Sequence, residues 1–257
     1  MRPCDDGGLT DSQRVDILGC GVDLVDAARA LERVKGLIAT GKGAQVVTFG
    51  AEMAMLAQHD PRYRAVVNAA DLVIPDTVGI VWASRVLGQP LRERVPGIEF
   101  AERLCDAVPE PIYLLGGAGG VAIEAATALR ARHPQARIVG THHGFFTDAE
   151  SSAVADAIEA SGARIVFVAL GVPRQEYWVS GQRSRLSCVC IGVGGAFDVW
   201  AGRVSRAPET MRRAGLEWLY RLAREPSRLG RQMALPAFAL RVIAQRAGRR
   251  KVDRSSN

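Results

Sequence analysis

No run of 18 or more apolar residues occurs in the 257 residues, so no transmembrane helix is expected. Residues 1–14, MRPCDDGGLTDSQR, contain no apolar stretch of the signal-peptide kind and read as a disordered leader. Cysteine is sparse. Cys4, Cys20, Cys105, Cys188 and Cys190 form an odd, scattered set, which excludes a disulfide framework and suits a reducing cytoplasm. On a strand, Cys188 and Cys190 point to one face, and with no further ligand nearby they read as core packing rather than a metal pair. The chain also lacks a Walker lysine motif, a His-Glu-x-x-His pair and the Asp-x-Asp pair that commonly holds a metal against a diphosphate. No metal or other cofactor is therefore expected. Internal repeats and low-complexity segments are absent as well.

Short apolar runs alternate with amphipathic helical patterns. The runs are 16–22, 45–48, 72–74, 112–117, 136–140, 164–171 and 188–195, with helices expected at about 25–40, 78–87, 98–107, 120–132, 148–160 and 174–183. Strands that are almost continuously apolar and separated by helices imply a mostly parallel sheet covered on both faces. The expected fold is therefore α/β, a Rossmann-like core over residues 15–200, followed by a basic helical appendage over 201–257.

Charge separates these two parts. Residues 203–257 carry 14 Lys+Arg against 4 Asp+Glu, a net +10, whereas the preceding chain carries 19 against 23, a net −4. A basic tail of this kind meets phosphates, or is simply solvated. Arg221, Arg224, Arg228 and Arg231 are spaced 3, 4 and 3, which on a continuous helix places them on one face. A diphosphate would satisfy four such guanidinium groups through charge-assisted, bidentate hydrogen bonds. Glu217 and Glu225 could neutralise them instead. Residues 227–246 read as a helix kinked at Pro236, with an apolar side that either lies on an anionic membrane or docks on the core.

In open α/β sheets ligands gather beyond the carboxyl ends of the strands. Thr48, Asp76, Gly116-Gly117, His142 to Gly144, Gly171 and Gly194 to Asp198 fall there. Asp76 can accept a proton from a substrate hydroxyl, or can cap a helix. Gly116 and Gly117 open a GGAGG turn of phosphate-cradling type. The acidic residue that dinucleotide binding requires after the next strand is missing, so NAD is disfavoured. His142 and His143 are expected to diverge, which disfavours a metal pair. Nucleic-acid binding lacks any recognition-helix or aromatic-basic strand signature.

The ordered series VVTFGAEM (46–53), ADLVIPDTVGIVWASR (70–85), RVPGIEF (94–100), IYLLGGAGGVAIEAATAL (112–129), HHGFF (142–146), GVPRQEYW (171–178), GVGGAFDVWAGRVSRAP (192–208) and LEWLYRLAREPSRLGRQ (216–232) resembles the WecG/TagA/CpsF glycosyltransferases, glycosyltransferase family 26. The resemblance implies transfer of a hexose or N-acetylhexosamine, such as N-acetylmannosamine, from a UDP-sugar to a polyprenyl-diphosphate-linked sugar. The reaction would invert the anomeric centre without a metal, at the cytoplasmic face of a membrane, and homo-oligomers stay open. It implies Asp76 as catalytic base with Thr48 and Arg94 at the reaction centre. Gln175, Asp198, Gly116, Gly117 and Phe145 would serve the donor, and Arg221, Arg224, Arg228 and Arg231 the diphosphate. Three positions depart from the family pattern: Gly50 replaces an asparagine, Thr77 a glycine and Phe145 a tyrosine. Gly50 and Phe145 motivate the competing reading of a catalytically silent nucleotide- or lipid-diphosphate-binding protein.

Overall fold

The computed structural model describes residues 13–213, 219–220 and 234–255. Six parallel strands form one sheet in the order β4-β3-β8-β7-β5-β6. These are β3 (Ala44–Phe49), β4 (Leu72–Pro75), β5 (Ile112–Gly116), β6 (Ile138–His142), β7 (Ile165–Ala169) and β8 (Val189–Gly192). The α/β sheet expected from the apolar runs is the one observed, and every pairing within it is parallel.

Side-chain alternation sends successive residues to opposite faces. On β7, Ile165 and Phe167 pack beneath α1 (Ala27–Thr40), α5 (Gly97–Ala107), α6 (Val121–Arg132) and the short α9 (Ala196–Trp200). Val166 and Val168 face the other way, onto α7 (Ser151–Ala160) and α8 (Arg174–Gln182). Cys188 and Cys190 share that second face, both buried, as their spacing requires. Helix α1 illustrates the local logic. Ala30, Val34 and Ile38 recur every fourth residue and are buried, Asp26 accepts a hydrogen bond from the Arg29 N–H, and Gly41 ends the helix at φ +67°.

Two stretches differ from expectation. Residues 16–22 are not one strand but the end of β1 (Arg14–Ile17), a turn, and β2 (Cys20–Asp23), an antiparallel hairpin outside the main sheet. Leu18 and Gly19 both take positive φ, as a two-residue hairpin turn demands. The segment between β3 and β4 forms α2 (Ala51–His59) and α3 (Pro61–Asn68), for which Pro61 at the first turn and Asp60 as N-cap are the local signals.

After α4 (Val78–Val86) and the short α10 (Glu209–Arg213), the chain is next described as a long helix, α11 (Ala234–Ser255). Pro236 lies in the first described turn of α11, and residues 227–233, over which the kinked helix was expected to begin, lie outside the described residues. The helix docks on the core through Phe238 and Val242, buried with α2, α4 and the hairpin. Gln245 clamps that hairpin by accepting from the Leu18 N–H and donating to the Asp16 carbonyl. Leu240 and Ile243 face outward.

Candidate active site

Asp76 follows β4 at the carboxyl end of the sheet. Its N–H donates to the Phe49 carbonyl at 3.0 Å, which fixes the backbone against β3. Its Oδ1 accepts the Gly97 N–H, the first residue of α5, at 2.6 Å. The carboxylate thus caps α5 from outside, whereas the adjacent α4 starts at Thr77 without a side-chain cap. Val95 N–H donates to the Pro75 carbonyl at 2.7 Å, so half-buried Arg94 stands next to the backbone bridge beside Asp76.

Thr48, on β3, is buried and donates its hydroxyl to the Gly192 carbonyl at 2.7 Å. A Cβ on Gly97 would lie 2.8 Å from the Thr48 methyl, so only glycine lets α5 approach β3 this closely. The end of β8 is held from its other side by Gln175. The Gln175 Oε1 accepts the Gly194 N–H at 3.3 Å, and its Nε2 donates to Glu176 Oε1 at 2.7 Å. Asp198 follows on half-buried α9, its carbonyl accepting from Arg203 and Val204. Thr48, Asp76, Arg94, Gln175 and Asp198 therefore sit on or beside three neighbouring strands, β4, β3 and β8.

The other expected donor residues stand elsewhere. At about 4.8 Å per strand, Gly116 and Gly117 after β5 lie about 19 Å along the sheet from Asp76. Their glycines answer to the chain itself. Gly116 has φ +135° and a Cβ there would meet the Ala169 carbonyl, while Gly117 has φ +71° and exchanges backbone bonds with Ala169 and Gly144. Phe145, 74% exposed, lines a cavity of about 270 Å³ with His142, His143 and Phe146 at the far edge of the sheet. His142 and His143 do not diverge: their ring centroids are 4.6 Å apart, because His142 Nδ1 turns back to the His143 carbonyl. Among the described residues no three His, Cys, Asp or Glu side chains gather as metal ligands would.

Two of the positions expected to depart from the family pattern face each other, for a Cβ on Gly50 would lie 3.2 Å from the Thr77 methyl. Phe145 is remote from both.

Arg221, Arg224, Arg228 and Arg231 lie outside the described residues. The described chain on either side is anchored close to Asp76. Arg206 donates to Glu99 of α5 at 2.6 Å, two residues beyond Gly97. Phe238 returns against Gly79 and Trp82 of α4, three residues or more beyond Asp76.

Glu176 escaped the sequence reading, although it is 2% exposed. Its position three residues before Val179, on the buried side of α8, was the available signal. Burial pushes its carboxyl up from 4.5 to about 7, against the lowering effect of hydrogen bonds from Gln175, its own backbone and the nearby Tyr63. The folded state thus holds this proton more tightly than the unfolded chain, so folding stability should fall as pH rises from 4.5 to about 7 and level off above. The full difference amounts to about 3 kcal/mol. Glu176→Gln should remove this slope, seen as a wild-type-minus-variant difference in urea unfolding that changes by about that amount across the interval. A constant difference would contradict it.

Comparison with known proteins places this arrangement. The model of the glycosyl transferase WecG/TagA/CpsF family matches residues 15–252. The chain belongs to this family. A WecG/TagA/CpsF relative from Bacillus spizizenii, named N-acetylglucosaminyldiphosphoundecaprenol N-acetyl-beta-D-mannosaminyltransferase, is 36% identical over 206 residues, 79% of each chain. A Staphylococcus aureus (strain MRSA252) protein of the same name is 32% identical over 239 residues, 91% of this chain and 93% of its own. The chain is accordingly a glycosyltransferase, and its matched residues run from the hairpin through most of α11. No helix among the described residues is long and apolar enough to cross a membrane.

Proposed function

We propose that this glycosyltransferase moves a hexose or N-acetylhexosamine, such as N-acetylmannosamine, from a UDP-sugar to a polyprenyl-diphosphate-linked sugar. The observation that carries this reading is the Asp76 carboxylate, held by the Gly97 N–H at the carboxyl end of the sheet, where both described ends of the arginine-rich segment are anchored. The names of the two relatives supply the acceptor class.

The proposed reaction is a single displacement with inversion. Asp76 takes the proton of an acceptor hydroxyl as its oxygen attacks the anomeric carbon, and the bond from that carbon to the UDP β-phosphate oxygen breaks. UDP leaves with the electron pair. Because the sequence lacks an Asp-x-Asp pair, the proposal assigns the charge growing on the β-phosphate to Arg221, Arg224, Arg228 and Arg231, a task that pre-placed cations perform well. Arg94 stands next to the bridge that fixes Asp76, and Asp198 would meet the donor from the β8 side. The outward Leu240 and Ile243, on a helix rich in arginine, support peripheral attachment to a membrane surface.

The test is a panel of UDP-sugars with and without GlcNAc-diphospho-lipid, read by UDP release and product mass. One donor should give acceptor-dependent UDP release and a product heavier by one sugar. Arg228→Ala should cut that release by about 10²-fold, the scale of losing one transition-state charge partner, with unfolding unchanged. A folded protein that binds UDP but releases none from any donor would establish the silent-binding alternative instead.

A further inference from the structure

The end of β8 poses a hydrogen-bonding problem. Val193 makes the last ladder bond, its N–H donating to the Val168 carbonyl at 2.9 Å. Gly194 then turns the chain at φ +53° toward α9 and Asp198, and its N–H points away from the sheet's ladder. The acceptor that meets it is the Gln175 side-chain carbonyl, reached from the first turn of α8.

A carboxamide offers an acceptor at one end and donors at the other, and rotation by half a turn exchanges them. Were Gln175 reversed, its NH2 would face the Gly194 N–H, donor against donor. Packing does not choose between the two orientations, because oxygen and nitrogen are almost the same size. The choice is made at the amide's other end. Glu176 Oε1 accepts the Gln175 Nε2 at 2.7 Å, a role open to the ionised carboxylate and to the carbonyl oxygen of the neutral acid alike. Glu176 is itself held in place, for its backbone carbonyl accepts from the buried Gln45 side chain at 3.1 Å. The passage for the amide is equally specific: a Cβ on Gly192 would lie 2.6 Å from Gln175 Nε2. Burying a carboxyl this fully is expensive.

We propose that Glu176 is a positioning residue that locks the Gln175 carboxamide with its oxygen toward Gly194, and so sets the glycine turn that presents Asp198. The donor reading above gives this its consequence, namely UDP affinity, while the hydrogen-bond relay itself can be tested without it.

The experiment compares wild type, Glu176→Met and Glu176→Gln. Amide hydrogen exchange is read at Gly194, and UDP affinity by calorimetry. Glu176→Met keeps the volume but offers Gln175 no comparable acceptor. It should speed exchange at Gly194 about tenfold or more, and weaken UDP by a similar factor, while the amides of β5 and β7 exchange as before. Glu176→Gln retains a side-chain carbonyl and should stay within about threefold of wild type on both readouts. Unchanged Gly194 exchange in Glu176→Met, or Glu176→Gln as impaired as Glu176→Met, would overturn the proposal. Should Glu176→Met not fold, the wild type decides by NMR. Slowly exchanging Gln175 NH2 protons with cross-peaks to the Glu176 γ-protons support the lock, and a freely rotating carboxamide rejects it. Failure of wild type to bind UDP would reject the donor reading alone, since the exchange data stand apart from it.

Discussion

Asp76→Asn is expected to lower turnover by about 10²–10⁴-fold, the usual contribution of a positioned general base. Asparagine keeps an oxygen for the Gly97 N–H, so the anchor at 2.6 Å that holds Asp76 to α5 survives. What it loses is the ability to take a proton. UDP affinity should therefore stay within about threefold of wild type, because the substitution leaves Thr48, Gln175 and Asp198 in place. A larger change, Asp76→Ala, would also free the Gly97 N–H at the start of α5 and would confuse chemistry with local unfolding. Turnover by Asp76→Asn equal to wild type would remove Asp76 from the mechanism.

The second large effect concerns stability. Asp23, at the end of β2, is fully buried, accepts one backbone hydrogen bond and lies beside two guanidinium groups. Its Oδ2 accepts the Val73 N–H at 2.7 Å and lies 3.2 Å from Arg14 Nε, and its Oδ1 lies 3.7 Å from Arg33 Nη1. The Val73 N–H belongs to β4, the strand at one edge of the sheet, and Asp23 supplies the acceptor that a further strand would otherwise provide. Asp23→Ala leaves that N–H without its acceptor and two guanidinium groups without their ion-pair partner, although Arg14 keeps the Asn68 and Ala70 carbonyls and Arg33 the Asp71 carbonyl. The expected loss is about 3–5 kcal/mol, toward the lower figure because both arginine side chains reach water. Asp23→Asn should recover part of it by restoring an acceptor to Val73. Urea unfolding measures both, and a midpoint for Asp23→Ala that matches wild type would contradict this account. The same strand leads into Asp76 at its other end, so the hairpin also steadies the proposed base.

The fold was legible where burial is two-sided. Runs such as IYLLG and IVFV carry no polar face, and only a sheet covered on both sides buries every residue of them. The hairpin was not legible, because DILGCGV reads as one apolar run until Leu18 and Gly19 turn it. The turn is held from far along the chain by Gln245. At the site, the strand-end rule named Asp76, Thr48 and Asp198, which the sheet order brings to neighbouring strands, together with Gly116, Gly117 and Phe145, which it places farther along the sheet. The positive φ of both glycines meets a demand of the local backbone as well. Glu176 was hidden because an acidic residue in the first turn of a helix is ordinarily solvated.

By itself, then, the sequence determined the α/β class, the parallel sheet, the separation of an acidic core from a basic tail, and membership of a glycosyltransferase family. The first three follow from composition and patterning along the chain, and the family from the order of its motifs, none of which needs knowledge of spatial neighbours. Only the tertiary structure decided the order β4-β3-β8-β7-β5-β6, and with it which strand ends share a mouth. An unbroken apolar run shows that both faces of a strand are covered, and is silent about which strand lies beside it. That order separates Asp76 from Gly117 and Phe145. It also brings Thr48 to Gly192, while the packing of α8 on the sheet puts Gln175 against Gly194 with Glu176 behind it.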